Sequence, residues 1–514
     1  MKAARVDSVL SSAVTLLVAA SLACTGATPE PATEPPYAAY VLLVVAPDHT
    51  PVPFARVIVA SGQPCPTLTG GARPIVTTRR DNPHGFTVDL CEAVVPFEQP
   101  LTVAGSSSTL PAVHREVSRV VVVGDTGCKP DEQTGCGLDD PQWPFQTLAQ
   151  AAAAGEPDLV LHMGDYNYRG TPSHFDRVVD GTTTKVYYYD AGDGAPEGEL
   201  CGLNATYYSQ NVPAGAEGSD PDSWEPWWLD FFQPAADLLA AAPWVFARGN
   251  HELCSHAGPG WLYFLGPGSN LAEGGGVQAA CPPQESAGST ESHLVFVEPQ
   301  VVALDGLTVA VLDSANACDE LDNFAERYGR QFASVAARLD GETAWLMGHR
   351  PVWGVVGETT EAPYRCDNQP GTGPAQPYAA MNRTLQCALA GDGGAPGAAL
   401  LPALDLVLAG HMHRFEWLGF ADGSGRPPQL VVGNSGVSED AGPPTGSFSQ
   451  TVDGQPASGF SVEEFGFVRL ERGAGDAWSA AVVTTDPAAW SAYLPACGTP
   501  PAAGAFLCVE GLPR

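Results

Sequence analysis

Residues 158–168 read DLVLHMGDYNY, an apolar run that ends in a glycine followed by a polar cluster. The run is short and continuously apolar, which is typical of a strand covered on both faces of its sheet. Because glycine allows a sharp turn directly after the strand, Asp165 is placed to point into the crevice beyond the strand end. This stretch therefore predicts a buried strand with a functional carboxylate at its carboxyl end.

Four more stretches after Arg115 repeat the pattern of an apolar run, a glycine and a polar cluster. They are RVVVVGDTG (119–127), WVFARGNHE (244–252), TAWLMGHR (343–350) and LDLVLAGHMH (404–413). Helical candidates lie between the runs, at 145–154, 227–241 and 323–339. Strands that alternate with helices predict an α/β fold, in which helices pack outside a sheet core.

The polar clusters contain the side chains that hard metal ions prefer. These are the carboxylates of Asp125 and Asp165, the amide of Asn250 and the imidazoles of His349, His411 and His413. Side chains at the carboxyl ends of strands in an open α/β sheet converge on one crevice. Oxygen and nitrogen donors without a thiolate suit hard divalent or trivalent ions, and a carboxylate can bridge two of them. One Gly-Asp turn or one buried histidine is more often structural, but five clusters in series predict a metal site.

As an ordered set, the clusters resemble the motifs of the calcineurin-like metallophosphoesterases over about residues 115–435. They read Asp-x-Gly, Gly-Asp-x-x-Tyr, Gly-Asn-His-Glu, x-x-Gly-His and Gly-His-x-His. Most of that superfamily has a histidine ligand at the position of Gly127, whereas the purple acid phosphatase type has glycine there and a compensating tyrosine. Tyr168, three residues after Asp165, matches that tyrosine. The alternative is that Tyr168 is a packed aromatic and Gly127 a turn residue, which leaves the first metal only three protein ligands.

The resemblance implies a metallophosphoesterase-type α/β sandwich with a dinuclear metal site. The first metal, Fe³⁺, would be bound by Asp125, Asp165, Tyr168 and His413. The second metal, which is Fe²⁺, Zn²⁺ or Mn²⁺, would be bound by Asp165, Asn250, His349 and His411, so that Asp165 bridges the two. The resemblance gives His251 the catalytic role of contacting the phosphate or protonating the leaving group.

The implied function is the hydrolysis of phosphate monoesters by metal-bound hydroxide. Two alternatives stay open at this point: a phosphodiesterase acting on nucleotides or phospholipid head groups, and a non-catalytic surface lipoprotein that uses the fold for binding. Plant and animal enzymes of this type have further phosphate-contacting histidines after the fourth motif, but here no histidine lies between His349 and His411. Arg350 either supplies that positive charge or is a structural arginine paired with an acid.

The charge balance excludes some classes of partner. The chain has 24 Lys and Arg against 58 Asp and Glu, a net charge of −34. Such a surface repels nucleic acid and anionic lipid, so we expect no nucleic-acid partner. It also repels a phosphate ester at long range, and bound metal cations are the obvious local source of positive charge for that substrate.

The amino terminus resembles a targeting segment. Lys2 and Arg5 precede an apolar run at 14–23 that is too short to span a bilayer. The following Cys24 fits a bacterial lipoprotein cleavage site, with ordinary signal-peptide cleavage nearby as the alternative. We therefore expect an exported protein that is periplasmic, extracellular or lipid-anchored at the cell surface, and that contacts a membrane only through that anchor. The predicted domains are a signal peptide at 1–24, a Pro/Thr-rich linker at 25–36, a small all-β domain at 37–112, a phosphoesterase domain at 113–490 and a tail at 491–514.

The cysteine count favours an oxidising compartment. There are 13 cysteines, and removing Cys24 leaves an even number that can all pair. Position favours three pairings: Cys65–Cys91 in the β domain, Cys128–Cys136 beside the first metal loop, and Cys497–Cys508 in the tail. A metal-thiolate role for Cys128 and Cys136 is the less favoured alternative in an oxidising setting. The pairing of the others stays open. Most of them lie in or near two long inserts at 181–224 and 354–398, which are typical of lids, binding loops or disorder.

Overall fold

The computed structural model describes residues 36–129, 135–169, 174–179, 182–187, 223–254, 256–267, 281, 295–319, 324–339, 343–356, 379–380, 382–390, 399–437, 446–452, 454–473, 475, 477–497 and 507–512. The predicted signal peptide, nearly all of the linker and most of both inserts lie outside these residues. Within the described ranges, no helix is long and apolar enough to cross a membrane.

The helices confirm two of the three predicted ones. In the described residues they are α1 (Phe145–Ala154), α2 (Trp224–Trp227), α3 (Ala236–Ala241), α4 (Gly258–Gly260), α5 (Ala325–Ala336) and α6 (Arg383–Ala390). Two π-helical turns, Trp228–Phe232 and Trp261–Leu265, continue α2 and α4, and 3-10 turns cover Asn250–Glu252 and Leu401–Ala403. The helix predicted at 227–241 is divided in two, because Pro234 has no backbone N–H to donate within a helix.

The strands account for most of the regular structure. In chain order they are β1 (Ala38–Val45), β2 (Pro51–Ala60), β3 (Thr67–Thr69), β4 (Ile75–Val76), β5 (Thr78–Arg79), β6 (Val88–Val94), β7 (Leu101–Val103), β8 (Thr109–Leu110), β9 (Arg119–Val123), β10 (Leu159–His162), β11 (His174–Val179), β12 (Thr182–Tyr187), β13 (Trp244–Phe246), β14 (Gln300–Leu304), β15 (Leu307–Val311), β16 (Ala344–Met347), β17 (Val355–Val356), β18 (Ala379–Ala380), β19 (Leu406–Ala409), β20 (Phe415–Phe420), β21 (Gln429–Val432), β22 (Gly446–Val452), β23 (Gln455–Val462), β24 (Gly466–Arg472), β25 (Trp478–Thr484) and β26 (Leu507–Gly511). Each of the five motif runs is a strand, as predicted.

Two large sheets form among the described residues. The first has ten strands in the order β26-β25-β24-β9-β10-β13-β1-β2-β6-β5, and the second has eight in the order β14-β15-β16-β19-β21-β20-β23-β22. The centre of each sheet is parallel: β9, β10 and β13 run in one direction in the first, and β16 and β19 do so in the second. The motifs that follow these strands therefore emerge together at one edge of each sheet.

The two sheets pack face to face around a shared apolar core. Val120 and Val122 of β9 face this core, and so does Trp345 of β16. The alternate residues of β9, Val121 and Val123, face a second core beneath α1 and α3. Burial on both faces explains why β9 is apolar throughout. A third core lies between the second sheet and helices α5 and α6. This layering confirms the predicted α/β sandwich.

The N-terminal region at 37–112 has only strands as regular elements, and the structure describes all of it. Strands β3, β4, β7 and β8 form a small sheet of their own, whereas β1, β2, β5 and β6 extend the ten-stranded sheet. The join is parallel, with Leu42 of β1 opposite Trp244 of β13. Local apolar spacing predicts strands but not a partner so distant along the chain. The domain boundaries themselves stay predictions.

The disulfides confirm the three predicted pairs, Cys65–Cys91, Cys128–Cys136 and Cys497–Cys508. A fourth, Cys254–Cys281, closes the segment after the third motif. Cys318 and Cys387 are also disulfide-bonded. Disulfides at this density are typical of proteins exported to an oxidising compartment.

Candidate metal centre

The carboxyl ends of the motif strands are joined by backbone hydrogen bonds. The Asp125 N–H donates to the Gly164 carbonyl over 2.9 Å, and the Gly410 N–H donates to the His349 carbonyl over 2.8 Å. The His411 N–H donates to Asp125 Oδ2 over 2.8 Å and so connects the two sheets. The loops after β9, β10, β16 and β19 therefore form one site at the joint edge of the sandwich.

Four of the predicted metal ligands have left-handed backbone conformations. The φ angle is 54° at Asp125, 58° at Asp165, 75° at His411 and 48° at His413. For residues with a Cβ this conformation costs roughly 1–2 kcal/mol each. Strain concentrated in this way at buried polar residues is typical of functional sites, because the surrounding structure must impose it.

Tyr168 Oη lies at the centre of the first group of predicted ligands. It is 3.1 Å from Asp125 Oδ1, 3.0 Å from Asp165 Oδ2 and 2.9 Å from His413 Nε2. The two carboxylates and His413 can each offer an atom within 4.8 Å of the others. The hydroxyl thus points at charged and polar atoms, which packing of an aromatic ring alone does not explain.

Gly127 is a glycine for reasons of space. A Cβ built there would lie 2.8 Å from Cδ2 of Tyr168 and 2.8 Å from the Tyr166 carbonyl oxygen. Its φ angle is outside the left-handed region, so the backbone angle does not require glycine. Because Gly127 has no side chain, the Tyr168 ring has room beside it. This contact favours the interpretation that Gly127 and Tyr168 are a matched pair.

His349 lies at the centre of the second group. Its Nδ1 is 2.9 Å from the Met163 carbonyl oxygen, so this nitrogen carries the proton and donates it. Burial lowers the pKa of His349, whereas the neighbouring Asp165 carboxylate raises it. With the proton on Nδ1, a neutral ring has only a lone pair at Nε2. This nitrogen is 2.7 Å from Asn250 Oδ1 and 3.3 Å from Asp165 Oδ2. One imidazole nitrogen, one amide oxygen and one carboxylate oxygen therefore lie close together, an arrangement that fits a bound cation.

His411 completes the second group, since it can offer a nitrogen within 4.8 Å of ligand atoms of Asp165 and His349. Its Nε2 is 3.0 Å from Asp319 Oδ2 and 3.0 Å from Arg350 Nη1. The Arg350 side chain is fully buried and forms an ion pair with Asp319. Burial alone would raise the pKa of Asp319, but the Arg350 guanidinium and His411 lower it to about 2. Of the two roles considered for Arg350, the geometry favours the structural one.

His251 lies at the mouth of the site. Its backbone N–H donates to Asp165 Oδ1 over 3.0 Å. Its ring centroid is 4.3 Å from that of Tyr168, and the residue is partly exposed. His256 Nδ1 lies 2.8 Å from the His251 carbonyl oxygen and holds this backbone from the other side. The side chain therefore lies beside Tyr168 of the first group and is partly exposed to solvent.

Glu252 and His162 are buried and are not predicted metal ligands. Both fix the positions of the motif loops relative to one another. The Glu252 carboxylate accepts the backbone N–H groups of Asp165 over 3.0 Å, Tyr166 over 2.9 Å and Gly249 over 3.1 Å. Burial raises the pKa of Glu252 to about 8. His162 bridges the first two motifs, because its Nδ1 accepts the Gly164 N–H over 3.1 Å and its Nε2 donates to Thr126 Oγ1 over 2.9 Å.

Sequence reasoning missed Asp319. It lies after β15 in a segment without a glycine turn or a recognised motif, and its place beside His411 arises only from tertiary packing. The one available signal was its position downstream of β15, which pairs in parallel with β16.

The fold and the grouped acids and histidines define a metal-dependent phosphoester hydrolase. The chain belongs to the calcineurin-like phosphoesterase family, whose model matches residues 118–415. Members of that family bind two metal ions and act on phosphate esters. Among solved structures, the chain is similar to one titled "Structure of PhoD", with a TM-score of 0.40 and 12% sequence identity over 85% of this chain and 84% of that one. No curated protein sequence matches the chain significantly.

Proposed function

We propose that this chain is an exported dinuclear-metal phosphoesterase that hydrolyses phosphate monoesters. The observation that carries the proposal is the close approach of three atoms that can bind a metal: His349 Nε2, Asn250 Oδ1 and Asp165 Oδ2. When His349 is neutral with its proton on Nδ1, all three atoms are acceptors, and a cation between them removes their mutual repulsion. Their oxygen and nitrogen chemistry suits a hard or borderline divalent ion.

The ligand sets that we propose follow the two groups of side chains. The first metal is bound by Asp125, Asp165, Tyr168 and His413, and the second by Asp165, Asn250, His349 and His411. A phenolate is a hard anionic donor, which supports Fe³⁺ in the first position and Fe²⁺, Zn²⁺ or Mn²⁺ in the second. The pairing of Gly127 with Tyr168 supports the purple acid phosphatase type, and with it the preference for monoesters.

The protein's own residues position the reaction. When bound, the two metals would supply an activated water and the positive charge that stabilises the phosphate at the transition state. Asp165 is held from both neighbouring motifs, because its carbonyl accepts the Thr126 N–H and its Oδ1 accepts the His251 N–H. His251, which is anchored at its backbone and partly exposed, holds a proton for the leaving oxygen.

The test combines metal content with hydrolysis of para-nitrophenyl phosphate and its bis-ester. We expect about two metals per chain and faster hydrolysis of the monoester. Asp165→Asn should lower kcat/KM by about a thousandfold or more. Asp158→Asn is the matched control, because Asp158 lies just before the amino end of the same strand, β10, and should leave the rate unchanged.

Three outcomes would contradict the proposal, each in a different way. Protein without metal whose hydrolysis is insensitive to Asp165→Asn is not this enzyme. Preferential hydrolysis of the bis-ester indicates a phosphodiesterase. Protein that binds two metals but hydrolyses neither ester indicates a binding role for the fold.

The site of export is a separate part of the proposal. The disulfides support an oxidising compartment, and the segment at 1–24 supports a lipoprotein signal. A Cys24→Ala variant expressed with radiolabelled fatty acid should lose the label that the parent chain carries. Parent protein that carries no label would show that the chain is released instead of anchored.

A further inference from the structure

We infer that Asp319 is a positioning residue for the second metal, and that it acts by orienting His411. This inference rests on the proposed function, because it assigns a role within the same metal site. The contact that carries it is the 3.0 Å distance from Asp319 Oδ2 to His411 Nε2. A carboxylate that accepts the outer ring N–H of a histidine fixes the orientation and tautomer of that ring, and thereby which nitrogen faces the metal.

Asp319 is itself held firmly. Asn382 Nδ2 donates to Asp319 Oδ1 over 3.1 Å, while Asn382 Oδ1 accepts the Leu385 N–H over 2.8 Å at the start of α6. The Arg383 N–H donates to the Asp319 carbonyl over 3.0 Å. The carboxylate is therefore fixed to the amino end of a helix on both its side chain and its backbone. A group fixed in this way can define the position of a neighbouring imidazole.

The hydrogen bonding around His411 admits one consistent tautomer. Arg350 Nη1 is a donor and Asp319 Oδ2 is an acceptor, and both lie 3.0 Å from His411 Nε2. If Nε2 accepted a hydrogen bond from Arg350, the proton would be on Nδ1 and the bare Nε2 would face a carboxylate. If Nε2 carries the proton, it donates to Asp319 and leaves the Nδ1 lone pair for a metal. Arg350 then donates to Asp319 as well.

Asp319 also pairs with Arg350, and a merely structural ion pair must be distinguished from a positioning role. Breaking a buried pair leaves an uncompensated charge, so Asp319→Asn alone would mix the two effects. The comparison is therefore made in the Arg350→Met background, in which the arginine charge is absent. The single variant Arg350→Met keeps the Asp319 carboxylate next to His411. The double variant, Arg350→Met with Asp319→Asn, replaces that carboxylate by a neutral amide.

The experiment titrates Zn²⁺ into metal-stripped full-length protein in competition with a chelating dye, and melts each metal-free variant. Relative to Arg350→Met, the double variant should bind the second Zn²⁺ about 10–100-fold more weakly, with the first Zn²⁺ changed by less than about threefold. Thr384→Val is the matched control, since the Thr384 hydroxyl accepts the Cys318 N–H and its loss loosens the same loop without touching the carboxylate. It should leave both affinities unchanged.

Equal second-site affinity in the double variant and in Arg350→Met would overturn the inference, because Asp319 would then serve only to neutralise the arginine. An equal loss in Thr384→Val would overturn it as well, because loop integrity would explain the effect. Failure of the proposed function is recognised separately. In that case the parent protein itself does not bind two Zn²⁺ or hydrolyse the aryl phosphate, whatever the variants do.

Discussion

The ring of Tyr168 occupies the space that a side chain at residue 127 would need: a Cβ on Gly127 would lie 2.8 Å from Tyr168 Cδ2. The same ring directs its hydroxyl to 3.1 Å from Asp125 Oδ1 and 3.0 Å from Asp165 Oδ2. Glycine at one motif and tyrosine at the next are thus two parts of one arrangement. A side chain at 127 would also come within 2.8 Å of the Tyr166 carbonyl oxygen, so the loop as it stands fits only glycine there.

Gly127→Ala should displace the Tyr168 ring and weaken the first metal site. We expect a loss of activity of about tenfold or more, because disturbing a residue that positions a metal ligand typically costs 10–100-fold in metal affinity or activity. Gly419→Ala is the control, since the nearest atoms to a Cβ there are 3.7 Å away. Equal activity in Gly127→Ala and the parent protein would show that the two positions are not coupled.

Tyr168→Phe removes only the hydroxyl at the centre of the first group. If the phenolate binds Fe³⁺, the oxidised parent protein is coloured by charge transfer, and the variant should lose that visible absorption band. The measurement is an absorption spectrum beside an iron analysis. A colourless parent protein that is active with zinc or manganese would refute the iron–tyrosinate assignment and leave the dinuclear site standing.

The Cys128–Cys136 disulfide begins three residues after Asp125 and fastens the first metal loop. Replacing both cysteines by alanine should lower the melting temperature and also the retention of metal. The Cys497–Cys508 bond is a matched control, because its sequence separation of 11 is close to the 8 of the first bond. Removing either bond should cost roughly 2–4 kcal/mol. If both double variants retain metal equally, the first disulfide has no special role at the site.

Glu416 makes the stability of the fold depend on pH. Its carboxylate accepts the Val355 N–H over 2.9 Å and supports the chain that follows His349. Burial raises the pKa of Glu416 from 4.5 to about 8. The folded state thus holds a proton that the unfolded state releases, and the stabilisation is complete below pH 4.5 and lost progressively as the pH rises to about 8.

In Glu416→Gln this dependence should disappear. Between pH 5 and 8, the free energy of unfolding of the parent protein should fall relative to that of the variant by up to about 1.4 kcal/mol per pH unit. Denaturant unfolding of the metal-free proteins at several pH values measures this difference. Parallel stability curves for the two proteins would contradict the buried, protonated carboxyl.

The positions of the motifs were predictable because they depend on local signals. An apolar run followed by glycine and a polar residue predicts a strand end, and parallel strands bring such ends together. This reasoning placed Asp125, Asp165 and His349 correctly at one edge of the sandwich. The ligand assignments and the metals themselves stay proposals.

The parts that sequence reasoning missed depend on packing between distant segments. The pairing of β1 with β13 cannot be recognised from the local sequence, because any buried strand has a similar run of apolar residues. Asp319 reaches His411 only because α6 holds its loop there. Pro234 divides the helix predicted at 227–241, because proline interrupts helical hydrogen bonding. This interruption, unlike the other two features, can be read from the sequence.

Anomalous X-ray scattering from crystals of the metal-loaded protein tests the dinuclear site most directly. We predict two metal peaks about 3.5–4 Å apart, one beside Tyr168 Oη and one between His349 Nε2 and Asn250 Oδ1, with Asp165 touching both. A single peak, or a metal that does not contact His349 and Asn250, would contradict it.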